Sequence, residues 1–171
     1  MTKNKFHRYQ EESGWCGPAC IQMIMFMAGK RMSQKTIAKI IYDPSWGTPY
    51  ANIFSYLNDY FASVGQQSGI RDKRIATLLK NGYGIIANIM SHDEDGSGGH
   101  YVVVGGIDES AKKYLILDPS NAARLDGKKG IYELSYDEMD QDWYDFATTE
   151  HETQKIPTHR WVTFVKLNTL K

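Results

Sequence analysis

A chain of 171 residues with 20 Lys+Arg against 20 Asp+Glu and 42% hydrophobic residues has an ordinary globular composition, so a single domain over 1–171 is expected. The zero net charge lacks the cationic surplus that phosphate binding needs, which removes nucleic acid as an expected partner, and no apolar run approaches the ~20 residues of a membrane span. Two Cys do not make a disulfide framework, and no apolar core follows the basic residues 1–5 as it would in a signal peptide, so a cytoplasmic location is expected.

The first half reads as helical. From Pro18 to Met27 apolar side chains cover nearly the whole circumference, the mark of a central, buried helix, and Gly29 supplies its stop. Ser33 is placed to cap a helix through Ile37, Ile40 and Ile41 that ends at Asp43-Pro44. Ile53, Tyr56, Leu57, Tyr60 and Phe61 recur at helical spacing, and Ile75, Leu78 and Leu79 mark a further short helix closed by Asn81-Gly82.

The period then changes. Gly84–Met90, Tyr101–Ile107, Tyr114–Leu117 and Ile131–Leu134 are short β-branched or aliphatic runs bounded by turn residues and read as strands. Ser135 and Glu138 have capping-box spacing and open a short helix, and Arg160–Leu167 alternates as a last strand. The polar stretch from Gln141 to Thr158 has no assignment. Helices followed by an antiparallel sheet make an α+β fold.

Three places carry chemistry. Cys16 precedes Gly17-Pro18 at the start of the buried helix, where the positive end of the helix dipole favours the reactive thiolate. Gly14 and Gly17 beside it are expected to let a substrate backbone approach closely. His100 opens the strand Tyr101-Val102-Val103-Val104, and Asp118 ends the strand Tyr114-Leu115-Ile116-Leu117 before Pro119. If the two strands form a hairpin turning through Asp108 to Lys112, pairing Ile107 with Lys113 sets Val102 opposite Asp118. His100 is then the diagonal same-face neighbour, ~7–8 Å away at the backbone and within reach of a His–carboxylate hydrogen bond. A thiol, a base and a carboxylate that orients the base are the set needed for acyl transfer through a thioester. The backbone N–H of Cys16 and the side-chain amide of Gln10 are the candidate oxyanion donors.

The order Gln10…Cys16-Gly17-Pro18-Ala19, Gly99-His100-Tyr101-Val102-Val103-Val104 and Leu117-Asp118-Pro119 resembles the bacteriocin-processing, double-glycine leader peptidases. The likeness is to their stand-alone C39-like relatives among the papain-like cysteine peptidases, and it spans about Tyr9 to Val165. It implies a papain-like fold, an N-terminal helical part packed on an antiparallel sheet with the site in the cleft between them. It implies Cys16 as nucleophile, His100 as general base, Asp118 as orienter and Gln10 as oxyanion donor. A peptide or protein is the implied substrate, hydrolysis of a peptide or isopeptide bond the implied reaction, and no cofactor is called for. Transfer of the acyl group to an amine or thiol, as in transglutaminase-like and phytochelatin-type relatives, and a catalytically silent peptide-binding domain stay open as alternatives.

Other features read as structural. Cys20, one turn beyond Cys16, and the stripe Met23, Met25, Met27 are expected in the core. Asp93-Glu94-Asp95-Gly96-Ser97-Gly98 is spaced like the start of a calcium loop, but its twelfth position is Val104 where a bidentate Glu is required. No metal is therefore expected, and the segment reads as a Gly-rich loop bordering the cleft. Residues 1–40 are basic and residues 130–154 acidic, an asymmetry expected of solvated faces.

Overall fold

The computed structural model describes residues 3–91, 98–147 and 156–171. Three helices come first, α1 (Cys16–Met27), α2 (Gln34–Ile41) and α3 (Tyr50–Tyr60). After them come β1 (Val64–Gln67), α4 (Asp72–Lys80), β2 (Tyr83–Met90), β3 (Gly99–Asp108), β4 (Lys113–Leu117) and β5 (Ile131–Ser135). The chain continues with α5 (Tyr136–Asp142), β6 (Tyr144–Ala147), β7 (Ile156–His159) and β8 (Val162–Lys166). Six strands form one antiparallel sheet in the order β1-β8-β2-β3-β4-β5, and β6 and β7 pair separately. The α+β expectation holds.

The sheet has a core on each face. On one, Ile86, Tyr101, Val103, Leu117 and Val165 meet α1, α2 and α3; on the other, Ile85, Ile89, Val102, Ile116 and Leu134 meet Ile75 and Leu78 of α4 and Met139 of α5. Helix α1 is the centre of the first core, with Ala19, Cys20, Ile21, Met23 and Met25 fully buried. A fully buried Ile or Met contributes roughly 1.5–3 kcal/mol, so the all-round apolar sequence fixes where this helix, and hence Cys16 at its head, must lie. Ser33 accepts from the Thr36 N–H, and the Ser135–Glu138 capping box is complete.

Three features depart from the sequence reading. The sequence pattern marks no strand at β1, β6 or β7: β1 is a short edge strand reading Val-Gly-Gln-Gln, β6 lies within the 141–158 stretch and β7 runs across its end. Beside β6, Trp143 is fully buried and donates its indole N–H to the Trp161 carbonyl at 3.1 Å. In the β3–β4 hairpin Ile107 pairs with Tyr114, not Lys113, and the register shifts by one between Val104 and Gly106. The bulge falls at Gly105, where a Cβ would sit 3.1 Å from Leu117 Cγ, and it restores the pairing Val103↔Leu117. The third departure concerns Gly14 and Gly17. Gly17 leaves room for Thr48, whose Oγ1 and Cβ would lie 2.7 Å from an added Cβ, while Gly14, at φ +77°, faces the Tyr42 hydroxyl. Both glycines accommodate the protein's own side chains, not an approaching substrate. The Asp93–Gly98 segment lies mostly outside the described residues.

Candidate active site

The site lies where the head of α1 crosses one end of the sheet. Helix α1 begins at Cys16 itself, with Trp15 as its cap residue and no side chain satisfying the first N–H groups. The open helix end faces the sulfur, which is half-buried, whereas Cys20 one turn deeper is fully buried. His100 enters at the start of β3, paired with Ile89 across the sheet, and Asp118 follows the last residue of β4. The corrected register carries both side chains to the same end of the same face.

Cys16, His100 and Asp118 meet there. His100 Nε2 lies 2.7 Å from Asp118 Oδ1, with side-chain exposures of 15% and 4%, low enough that water screens the pair little. The thiol of Cys16 is hydrogen-bonded to the same imidazole, which leaves Nδ1 as the ring nitrogen facing sulfur. Asp118 is itself held on both oxygens. Oδ1 also accepts from the Ser120 N–H at 2.8 Å, and Oδ2 accepts from the Tyr132 hydroxyl at 2.6 Å. Arg124 stacks over the Tyr132 ring at 5.5 Å, and one of its N–H groups donates to Asp142 at 2.9 Å. The sequence does not single out Tyr132; its only signal there is an aromatic residue inside the β5 strand run.

Each titratable group is displaced for a nameable reason. Burial pushes the Cys16 thiol up, but the hydrogen bond and charge of His100, with the N–H groups of Tyr101 and Gly17, outweigh it and hold the thiol below its ordinary value. Burial pushes His100 down, and the charge and hydrogen bond of Asp118 together with Cys16 drive it instead up to about 10. Burial favours the neutral acid at Asp118, yet His100, Tyr132 and the Ser120 N–H hold the carboxyl below the usual range. Cys20, in contrast, is pushed well up by burial and by the charges of Cys16 and Asp118. These directions together favour a thiolate–imidazolium pair at Cys16 and His100.

Gln10 sits on the arm before α1 and is half-buried. Its backbone N–H donates to the Pro119 carbonyl at 2.8 Å and its carbonyl accepts from the Asn121 side chain at 2.7 Å, so the arm is tied to the turn that follows Asp118. Its side-chain amide makes no hydrogen bond among the described residues. No group of three or more His, Cys, Asp and Glu among the described residues is arranged to hold a metal ion.

Set against protein-family models, residues 3–146 match the Peptidase_C39 like family. The chain belongs to this family. Solved structures agree at the level of the C39-like fold. The peptidase domain of Streptococcus ComA, a bifunctional ABC transporter involved in quorum sensing, superimposes with a TM-score of 0.63 at 14% identity, over 93% of this chain and 96% of that one. A Bacillus anthracis protein described as a C39-like peptidase gives 0.64 at 13% identity, over 97% and 96%. The double-glycine motif protease of an AMS/PCAT transporter, solved with its leader peptide, gives 0.59 at 16% identity, over 92% and 86%. A search of curated proteins returned no match. The papain-like, C39-like fold is thereby established, and no helix among the described residues is long and apolar enough to cross a membrane.

Proposed function

We propose that this chain is a single C39-like peptidase domain that hydrolyses a peptide or isopeptide bond through Cys16, His100, Asp118 and Gln10. The observation that carries the reading is the 2.7 Å His100–Asp118 contact with the Cys16 thiol on the other side of the same ring. The leader-peptide complex of the AMS/PCAT protease supports a peptide as the substrate class.

In the proposed reaction the Cys16 thiolate attacks the carbonyl carbon of the scissile bond. The oxyanion that forms is stabilised by the Cys16 backbone N–H and the Gln10 amide. His100, protonated in the resting pair, gives its proton to the departing amine as the C–N bond breaks and a thioester remains on Cys16. The now neutral imidazole takes a proton from water, whose oxygen attacks the thioester and releases the acid. Asp118 keeps Nδ1 directed at the sulfur and stabilises the imidazolium throughout.

A peptide-library cleavage profile comparing the native protein with Cys16→Ala tests the reading: cleavage confined to the native protein is expected. Products that persist in the variant refute the mechanism. Labelling with limiting iodoacetamide adds a second check, since Cys16 is expected to react far faster than Cys20.

A further inference from the structure

The Asp118 carboxylate has one oxygen on His100 and the other on a second set of groups. Oδ2 accepts from the Tyr132 hydroxyl at 2.6 Å, and the Arg124 guanidinium lies over the Tyr132 ring at 5.5 Å. Arg124 stands in the loop between β4 and β5 and donates to Asp142, the last residue of α5, at 2.9 Å. The two side chains are only 12% and 10% exposed, so water screens this ion pair little. A chain of contacts thus runs from α5 to the sulfur through Asp142, Arg124, Tyr132, Asp118, His100 and Cys16.

Resting on the peptidase reading, in which Asp118 orients His100, we propose that Arg124, braced by Asp142, is a positioning residue for the Asp118 carboxylate and acts through the Tyr132 hydroxyl.

Two features give the outer pair this role. Tyr132 stands on β5, an edge strand with β4 as its one neighbour in the sheet, and Arg124 covers the face of its ring. The hydroxyl is also given a direction. Burial and the Asp118 charge push it up, so it keeps its proton, while the charge and a hydrogen bond of Arg124 act the other way. A guanidinium can only donate, so Arg124 occupies a lone pair of the Tyr132 oxygen and leaves the single O–H for Asp118 Oδ2. With Oδ2 held in this way and Oδ1 held by the Ser120 N–H, the carboxylate has a fixed plane against which the imidazole is set. Loss of the outer pair frees the hydroxyl and then the carboxylate, so His100 works less well as a base while substrate binding is unaffected. Lys128 supplies a comparison from the same loop: it pairs with Asp126 at 2.8 Å and Glu138 at 3.0 Å, and so anchors the loop to α5 by another route.

The assay follows p-nitrophenolate released from N-acetylglycine p-nitrophenyl ester, with Cys16→Ala as the blank. The Cys16 sulfur forms the thioester bond as p-nitrophenolate leaves. Water then attacks the thioester and gives a proton to His100, and the C–S bond breaks to release the acid, so turnover draws on His100 as base. Arg124→Met combined with Asp142→Leu removes the ion pair without stranding a buried charge, an exchange that is often neutral for stability. Its kcat is expected to fall about three- to tenfold with KM unchanged. In a Tyr132→Phe background the same two substitutions are expected to change kcat by less than about twofold, because a residue acting through the hydroxyl has nothing left to act on. Lys128→Met is expected to keep the native kcat. Arg124→Gln, read through the same cycle, replaces the paired variant if that one does not fold. A native kcat without the outer pair, an equal loss with and without the Tyr132 hydroxyl, or an equal loss in Lys128→Met overturns the proposal while leaving the peptidase reading intact. Ester hydrolysis by the native protein no faster than by Cys16→Ala overturns both.

Discussion

Asp118→Asn removes a charge while keeping the shape of the side chain, and the local hydrogen bonds dictate how the amide must sit. His100 Nε2 and the Ser120 N–H both donate to Oδ1, at 2.7 and 2.8 Å, so the amide oxygen takes that position. The amide NH2 then faces the Tyr132 oxygen, which turns from donor to acceptor. The arrangement survives, but the charge that does most to raise His100 is gone. His100 falls from about 10, loses its proton at neutral pH, and no longer supports the Cys16 thiolate against burial. A hydrogen bond to a charged group is worth roughly 1.5–3 kcal/mol, which sets the loss of thiolate reactivity at roughly ten- to hundredfold. The assay is the second-order rate of iodoacetamide alkylation at pH 7, followed by mass spectrometry of Cys16, with the rate recovering as pH rises. An unchanged rate at pH 7 with an unchanged pH midpoint would show that the carboxylate does not sustain the ion pair, and the electrostatic argument would fail with it.

Three further outcomes follow from the same geometry. Turnover is expected to rise with pH as Cys16 ionises below its ordinary 9.0 and to fall as His100 loses its proton near pH 10; a maximum confined below pH 6 would contradict both displacements. Thermal stability shares the His100 dependence, because a folded-state pKa raised from 6.5 gives a contribution that is whole below about 6.5 and disappears as pH climbs through about 10. Asp118 acts in the opposite sense, its contribution being whole above 3.8 and lost as pH falls through the depressed folded value. Tyr132→Phe keeps the ring under Arg124 but leaves Asp118 Oδ2 without its 2.6 Å donor, so kcat is expected to drop about tenfold with little change in KM. A loss in thermal stability alone, with the pH profile and kcat unmoved, would reduce Tyr132 to a purely structural residue.

What the sequence disclosed follows the strength of its periodic signals. Helix α1 was legible because Ala19, Cys20, Ile21, Met23 and Met25 leave no polar face, and its burial puts Cys16 at a dipole end by geometry alone. The helices of the first half and the capping box at Ser135 were legible for similar local reasons. Strand β1 was not, since an edge strand with two glutamines has one neighbour and little to bury. The β3–β4 hairpin shows how a local error can leave a distant inference standing. The pairing assumed at the turn is off by one, and the bulge at Gly105 cancels the error before the strands reach His100 and Asp118. Bulges depend on a close approach across strands, here of Leu117 to Gly105, which no single-strand pattern encodes. Tyr132 was invisible for a related reason: its partner lies in the turn after another strand, and only the β4–β5 register brings them together.

The arm before α1 joins these observations into one mechanical unit. His7 Nε2 lies 2.7 Å from the Asp118 carbonyl oxygen, the Gln10 N–H donates to the Pro119 carbonyl, and Asn121 donates to the Gln10 carbonyl. Three bonds therefore connect the arm to the turn that carries the carboxylate. The same turn supplies the Ser120 N–H that fixes Asp118 Oδ1. Under the proposed mechanism, the amide aimed at the oxyanion and the carboxylate that orients the base are held by a single clamp and keep their spacing if it shifts. The spacing of six residues between Gln10 and Cys16 then has a physical reason: one end is set by the head of a buried helix, the other by the turn after β4 at the same end of the sheet, and the intervening chain spans the gap between them.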